Sequence, residues 1–245
     1  MRAVILAGGL GTRMRPYTSV IPKPLLPIGD RPVLEHLLRT LARDGVREVD
    51  LCVSHLGGLI QAYFAHAGVP GGIDLRFHYE EEPLGTAGAL TVVPGLSGTF
   101  LAMNGDILTT LDYGELVAHH REHEAALTIA MHHKPVGVEL GVIASHDGLV
   151  TGYDEKPTMH FDVSMGIYVY DERALAHLPS GPCQFPELVV RLLDAGERVA
   201  AYRSGAEWFD IGTVAEYERA SQAVREHPER FDLEAPGVPD QLAGP

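Results

Sequence analysis

Lysine is scarce in this chain, supplying three of its 19 basic residues. Cysteine is scarcer, with only Cys52 and Cys183, so no disulfide framework is expected and a reducing compartment fits. No uninterrupted apolar run approaches the roughly 20 residues of a membrane span. The opening run Ala3-Val4-Ile5-Leu6-Ala7 meets glycines too early for a signal peptide. The expectation is a cytoplasmic protein with no membrane partner. Positive charge is in deficit overall, 33 acidic against 19 basic residues, for a net charge of −14. A polyanion wants the opposite sign, so DNA and RNA are not expected as partners. A small anionic ligand needs only one locally basic pocket.

What is present is the balance of an ordinary globular protein: 245 residues, 45% hydrophobic and 21% charged. That length suits one large α/β domain. Its expected extent is residues 1–227, with 228–245 a proline-rich tail, extended or disordered. Arg2 to Ala7 reads as a buried strand ended by Gly8-Gly9. A long Gly/Pro/Thr-rich loop follows, from about Gly8 to Pro32, and loops of that length are usually functional. Leucines at helical spacing after Pro32, then strands at Val49–Val53, Leu75–Tyr79 and Phe100–Met103 alternating with helical stretches, argue for a mostly parallel sheet covered on both faces. Short strand-like runs crowd together after residue 125: Ala126–Met131, Gly141–Ala144, Leu149–Asp154 and Met165–Tyr170. The expected architecture is a Rossmann-like three-layer α/β/α domain with a small β-rich portion that binds sugar.

The three lysines, Lys23, Lys134 and Lys156, each precede a proline. Lysine is a compact point charge and arginine a planar fork. A chain that uses arginine elsewhere points to positions where only the smaller head fits, and Lys23 and Lys156 become site candidates. The strongest signal is Gly8-Gly9-Leu10-Gly11-Thr12-Arg13-Met14-Arg15-Pro16, followed by Pro22-Lys23-Pro24. A glycine-rich turn after a strand lets backbone N–H groups close on an anion. It is no Walker loop, because Gly-Lys-Ser/Thr is missing, and no dinucleotide fingerprint, because Met14 stands where a third glycine belongs. Arg13, Arg15 and Lys23 beside exposed N–H donors suit a triphosphate. Asp106 ends an apolar strand, where ligands of open α/β sheets bind.

On these residues the chain resembles the sugar nucleotidyltransferases (NDP-sugar pyrophosphorylases). The resemblance continues through Glu82-Pro83-Leu84-Gly85-Thr86-Ala87-Gly88, Asn104-Gly105-Asp106, Glu155-Lys156-Pro157 and Trp208-Phe209-Asp210-Ile211-Gly212-Thr213. It implies transfer of a nucleotidyl group from a nucleoside triphosphate to a sugar 1-phosphate, releasing pyrophosphate. It implies nucleotide contacts from Leu6, Ala7, Gly8, Gly9, Gly11, Thr12, Arg13, Lys23, Glu80, Gly85 and Thr86. Sugar contacts are implied from Asn104, Gly141, Glu155, Lys156 and Ser164, and Mg²⁺ ligation from Asp106 and Asp210. Arg13, Lys23 and Lys156 would be catalytic: Arg13 on the leaving pyrophosphate, Lys23 on the α-phosphate, Lys156 between the two approaching anions. No general base is needed, since a phosphate monoester is ionised near neutrality.

Base choice is expected in Gly8-Gly9 and in Glu80-Glu81-Glu82-Pro83-Leu84-Gly85. Guanine offers N1–H and N2–H₂ donors that a carboxylate accepts, whereas uracil and thymine want an amide, and this segment has no Asn or Gln. The segment is similar to the guanylyltransferase branch that makes GDP-mannose and GDP-heptoses, so GTP is the expected nucleotide. Ser164-Met165-Gly166 replaces the Asn-Ala-Gly common in the family, which hints at a heptose or cyclitol phosphate, with Met165 adding bulk. Alternatives are a thymidylyl-, cytidylyl- or adenylyltransferase acting on glucose 1-phosphate, or a non-catalytic nucleotide-sugar-binding regulatory subunit. A homo-oligomer is compatible with the chain. His119, His120 and His123 read as surface histidines, His132-His133 as the end of a strand, and Cys183 as inert.

Overall fold

The computed structural model describes residues 1–9, 11–54 and 56–231. The chain enters through β1 (Arg2–Ala7), loops through three turns of 3-10 helix and a two-rung ladder of β2 (Pro27–Ile28) with β3 (Arg31–Pro32), then forms α1 (Val33–Arg43). Next come β4 (Glu48–Val53), α2 (Gly57–Ala67), β5 (Asp74–Tyr79), the single turn α3 (Gly85–Gly88), β6 (Thr99–Asn104) and β7 (Ile107–Thr109). They are followed by α4 (Tyr113–Glu122), β8 (Leu127–Gly137), β9 (Val142–His146), β10 (Leu149–Asp154) and β11 (Thr158–Asp171). The chain continues through α5 (Phe185–Asp194), β12 (Val199–Ser204), β13 (Trp208–Asp210) and α6 (Val214–Glu226).

Seven strands make the central sheet in the order β12-β8-β11-β6-β1-β4-β5. Only β11 runs antiparallel to its neighbours β6 and β8; the other pairs are parallel. This is the expected α/β/α architecture. Alternate residues of a strand serve opposite faces. Ala3 and Ile5 of β1 enter one core with α1, α2 and α4, while Val4 enters another with α3 and α5. After β1 the chain builds outward through β4 and β5, then returns to lay β6 on the other side of β1. The crevice beyond the carboxyl ends of β1 and β6 is therefore the switch point of the sheet, where such folds take ligands.

Three features depart from the sequence reading. The 8–32 segment is not bare loop, because Met14, Leu26 and Ile28 bury themselves in a third core with Ile211 and Val224. The strands after residue 125 are longer than expected, β8 reaching Gly137 and β11 starting at Thr158, so His132 and His133 lie within a strand rather than at its end. Residues 228–231 are not a loose tail: Pro228–Phe231 is a turn of 3-10 helix, and Phe231 is buried in the third core. The rest of the expected tail, 232–245, lies outside the described residues.

Candidate active site

The whole expected nucleotide set lines one cavity of about 430 Å³ at the switch point: the end of β1, the turn that follows it, and the opposing Glu80-to-Thr86 segment. The turn holds itself open by local bonds. The carbonyl of Gly11 accepts from the Thr18 hydroxyl at 2.7 Å and from the Met14 N–H at 2.9 Å. Arg13 reaches into this cavity, whereas Arg15 lines an adjoining one of about 330 Å³ that shares Ala7, Gly9, Lys23 and Ser54 with the first.

Glu80 extends from the end of β5, where its N–H donates to the Val53 carbonyl at 2.9 Å. Its carboxylate closes on Gly8, and a Cβ at residue 8 would stand 2.7 Å from Oε1. Its other oxygen accepts from the Leu84 N–H at 3.1 Å. Gly85 (φ +78°) lies so close to the Cys183 carbonyl that a Cβ would meet that oxygen at 2.6 Å. The same carbonyl accepts from the N–H groups of Ala87 and Gly88, each at 3.0 Å, and the Thr86 hydroxyl accepts from the Phe185 N–H at 2.8 Å. Residues 183–185 thus clamp α3 against the cavity.

Two polar cavity residues escaped the sequence reading. Ser54, directly after β4, donates its hydroxyl to the Gly8 carbonyl at 2.6 Å; its place at the end of a parallel strand was the available signal. Gln184, just before α5, lines the cavity and sets Oε1 at 3.4 Å from the Thr86 hydroxyl. An amide therefore does stand in the cavity, although the Glu80–Gly85 segment holds none.

The charged centre joins three distant residues. β13 pairs antiparallel with β7, setting Asp210 opposite Ile107, while the Ile211 N–H donates to the Asp106 carbonyl at 3.1 Å. That ladder brings Asp210 beside Asp106. Between them lies the buried Lys23, whose Nζ donates to Asp106 Oδ2 and stands 4.0 Å from Asp210 Oδ1. The Arg13 guanidinium also approaches, with Nη2 3.5 Å from a Cβ built on Gly212. Burial, then the charge of Asp106, raise the Asp210 carboxyl above its ordinary range against the pull of Lys23 and Arg13. Two hard carboxylates, one of them strained by the other's charge, fit a hard divalent cation.

The expected sugar residues divide. Asn104 lines the cavity at the end of β6. Gly141, Glu155, Lys156 and Ser164 do not. Gly141 packs on Tyr153, whose hydroxyl donates to Glu155 Oε2 at 2.9 Å, and Lys156 stands exposed in the link from β10 to β11 with φ +46°. Ser164 is exposed, its hydroxyl donating to the Tyr168 hydroxyl at 3.3 Å and accepting from the Gly166 N–H at 3.2 Å. Met165 is buried in the core and adds no bulk to the cavity. The register of β11 on β8 shifts between Ser164 and Tyr168, the stretch that holds Met165.

One side reading is also corrected. His120 is buried, its Nδ1 2.9 Å from the Thr128 hydroxyl, and is no surface group. His133 lies opposite Asp162 on the β8–β11 ladder, its Nδ1 3.0 Å from the carboxylate. Cys183 lies two residues before α5, and burial pushes its thiol pKa up.

Fold and site together define a doubly wound α/β domain whose switch-point cavity joins a glycine-rich turn to a carboxylate pair with a buried lysine between them. Residues 2–227 match the nucleotidyl transferase family, and the chain belongs to it. A UTP–glucose-1-phosphate uridylyltransferase of Synechocystis sp. is 34% identical over 97% of this chain and 66% of its own length. A mannose-1-phosphate guanyltransferase beta-B of Xenopus laevis is 28% identical over 95% of this chain and 68% of its own. The chain thus spans about two thirds of the length of these relatives. Among solved structures, HddC from Yersinia pseudotuberculosis complexed with GMP-PN matches with a TM-score of 0.70 and 27% identity, covering 90% of this chain and 98% of that one.

Proposed function

We propose that the chain transfers a nucleotidyl group from GTP to a sugar 1-phosphate of mannose, heptose or cyclitol type. One observation carries the reading: Lys23 is buried between Asp106 and Asp210 at the cavity that holds the whole expected nucleotide set. In this reaction a sugar-phosphate oxygen attacks the α-phosphorus and pyrophosphate leaves. The nucleophile arrives ionised, so alignment and charge neutralisation do the catalysis. The turn from Gly8 to Thr12 cradles the phosphates with its N–H groups. Lys23 meets the α-phosphate by exchanging its contact with Asp106, and Arg13 holds the departing pyrophosphate. Asp106 and Asp210 would hold Mg²⁺, which supplies positive charge to the phosphate oxygens when bound. The Glu80 carboxylate, with acceptor capacity beyond its one bond to Leu84, suits the N1–H and N2–H₂ of guanine.

Gln184 favours a second reading, a uridylyl- or thymidylyltransferase, because an amide pairs with the mixed donor–acceptor edge of a pyrimidine. Thermal unfolding with Mg²⁺ and each of GTP, dTTP, CTP, UTP and ATP separates the two. A ligand at about 100 times its Kd adds about 2.7 kcal/mol, which moves the midpoint by several degrees. GTP alone is expected to do this in the wild type, and Glu80→Gln to lose the shift. A pyrimidine triphosphate that shifts the midpoint more than GTP supports the second reading. No shift from any nucleotide, with no pyrophosphate released from mannose 1-phosphate and related sugar phosphates, makes the chain a non-catalytic relative.

A further inference from the structure

The last turn of α4 carries a cluster that nucleotidyl transfer does not use. His119, Glu122 and His123 each bring one ligand atom to within 4.8 Å of the other two. Their spacing of three and four residues puts them on one face of the helix end. The imidazole of His123 has its tautomer set. Its Nδ1 lies 2.9 Å from the carbonyl oxygen of His119, and a carbonyl only accepts. Nδ1 therefore holds the proton, which leaves the ring's lone pair on Nε2. Metal-bound histidines are oriented by this same kind of bond to a backbone carbonyl. The ring of His119 packs against those of His123 and Tyr202, at centroid distances of 4.0 and 5.2 Å. Its Nε2 is enclosed and finds no hydrogen-bond partner. Tyr202 does not supply one, since its hydroxyl donates to Glu115 at 3.1 Å. A polar nitrogen shut from water without a partner costs free energy, and a cation drawn to it removes that cost.

We propose that His119, Glu122 and His123 form a binding site for one borderline transition-metal cation of the Zn²⁺ type, separate from the nucleotide cavity. Two imidazole nitrogens and a carboxylate oxygen make the donor set of three-ligand zinc sites, leaving a fourth position for water or another ligand. The same set disfavours Mg²⁺, which prefers oxygen ligands and its own waters, so the site and the Asp106–Asp210 pair sort the two cations by chemistry. Closing to tetrahedral zinc requires ligand atoms about 3.3 Å apart. Glu122 and His123 are exposed and free to make that adjustment. None of the three residues lines either cavity at the switch point. A bound cation ties the last turn of α4 together and, through His119, fixes its contact with Tyr202 on β12.

Calorimetric titration of ZnCl₂ into chelator-treated full-length protein, in millimolar Mg²⁺ to fill the hard-oxygen sites, tests this. One equivalent is expected to bind with a Kd on the order of 1 μM. His123→Ala and Glu122→Gln, both at exposed positions, are each expected to weaken it at least 10-fold while leaving Mg²⁺-dependent nucleotide binding and the thermal midpoint without zinc unchanged. In Co²⁺ the wild type is expected to develop the visible absorption of a four-coordinate nitrogen–oxygen site, and His123→Ala to lack it. Zinc binding unchanged by His123→Ala, or no binding below about 100 μM, overturns the proposal. Loss of binding in His119→Ala alone, with His123→Ala unaffected, also overturns it.

Discussion

Lys23 is the residue on which the proposed chemistry turns. It is buried, and a buried ammonium is tolerated only where charge partners surround it. Asp106 and Asp210 are those partners. Lys23→Met keeps the length of the side chain and removes the charge, and is expected to lower kcat by about 100-fold or more, measured as pyrophosphate release. The circular dichroism spectrum should stay that of the wild type. A second residue-scale prediction concerns acid. Burial lowers the pKa of His120 from its ordinary 6.5 to about 4, and it lowers that of His36 as well. In the unfolded chain both imidazoles take up a proton near pH 6.5, while the folded ones stay neutral. The unfolded state then binds more protons, so stability falls as the pH drops from about 6.5 towards 4 and is flat above that window. Urea midpoints from pH 8 to 4.5 should trace this fall. His120→Asn should flatten it, and an unchanged slope would place the effect on other groups.

At the scale of elements, the short helix α3 shows how little regular structure a binding wall needs. Four residues cannot hold a helix by themselves. The N–H groups of Ala87 and Gly88 are instead satisfied by the Cys183 carbonyl, and the close approach of residue 183 requires that no side chain stand at residue 85. Gly85→Ala adds a Cβ at a φ of +78° and 2.6 Å from that carbonyl oxygen. It is expected to cost roughly 1–3 kcal/mol of stability. It should also weaken the nucleotide-induced rise in midpoint, because the wall carrying Thr86 must move. A midpoint and nucleotide response equal to the wild type would show that α3 is not clamped as described. By contrast α4 and α6 start on local chemistry. Asp112 accepts from the Glu115 N–H at 2.9 Å, and Thr213 from the Glu216 N–H at 3.3 Å. Both caps are readable in the sequence as a small polar residue followed three positions later by glutamate.

For the molecule as a whole, the third core decides where the domain ends. Phe231 packs with Ile211 and Val224 and lies 6.4 Å, centroid to centroid, from Phe209 on β13, so the last described turn braces the strand that carries Asp210. Phe231→Ala is expected to destabilise by about 3 kcal/mol, as large core truncations do. If its urea midpoint instead matches the wild type, the domain ends before it. The layered α/β/α order and the glycine-rich turn could be read from the residues alone, while the nucleotide set and the Asp106–Asp210 pair came with the family resemblance. Alternation, glycine spacing and the ends of apolar strands are local properties, and the physics of a turn that binds an anion is complete within a dozen residues. The seating of Lys23 between Asp106 and Asp210, the entry of Ser54 and Gln184 into the cavity, the burial of Met165 and the burial of Phe231 depend on which strand ends and helix starts meet. Those contacts join segments far apart in the chain, through a β7–β13 ladder and a register shift that no local pattern encodes. Their energies appear only once the whole core has packed.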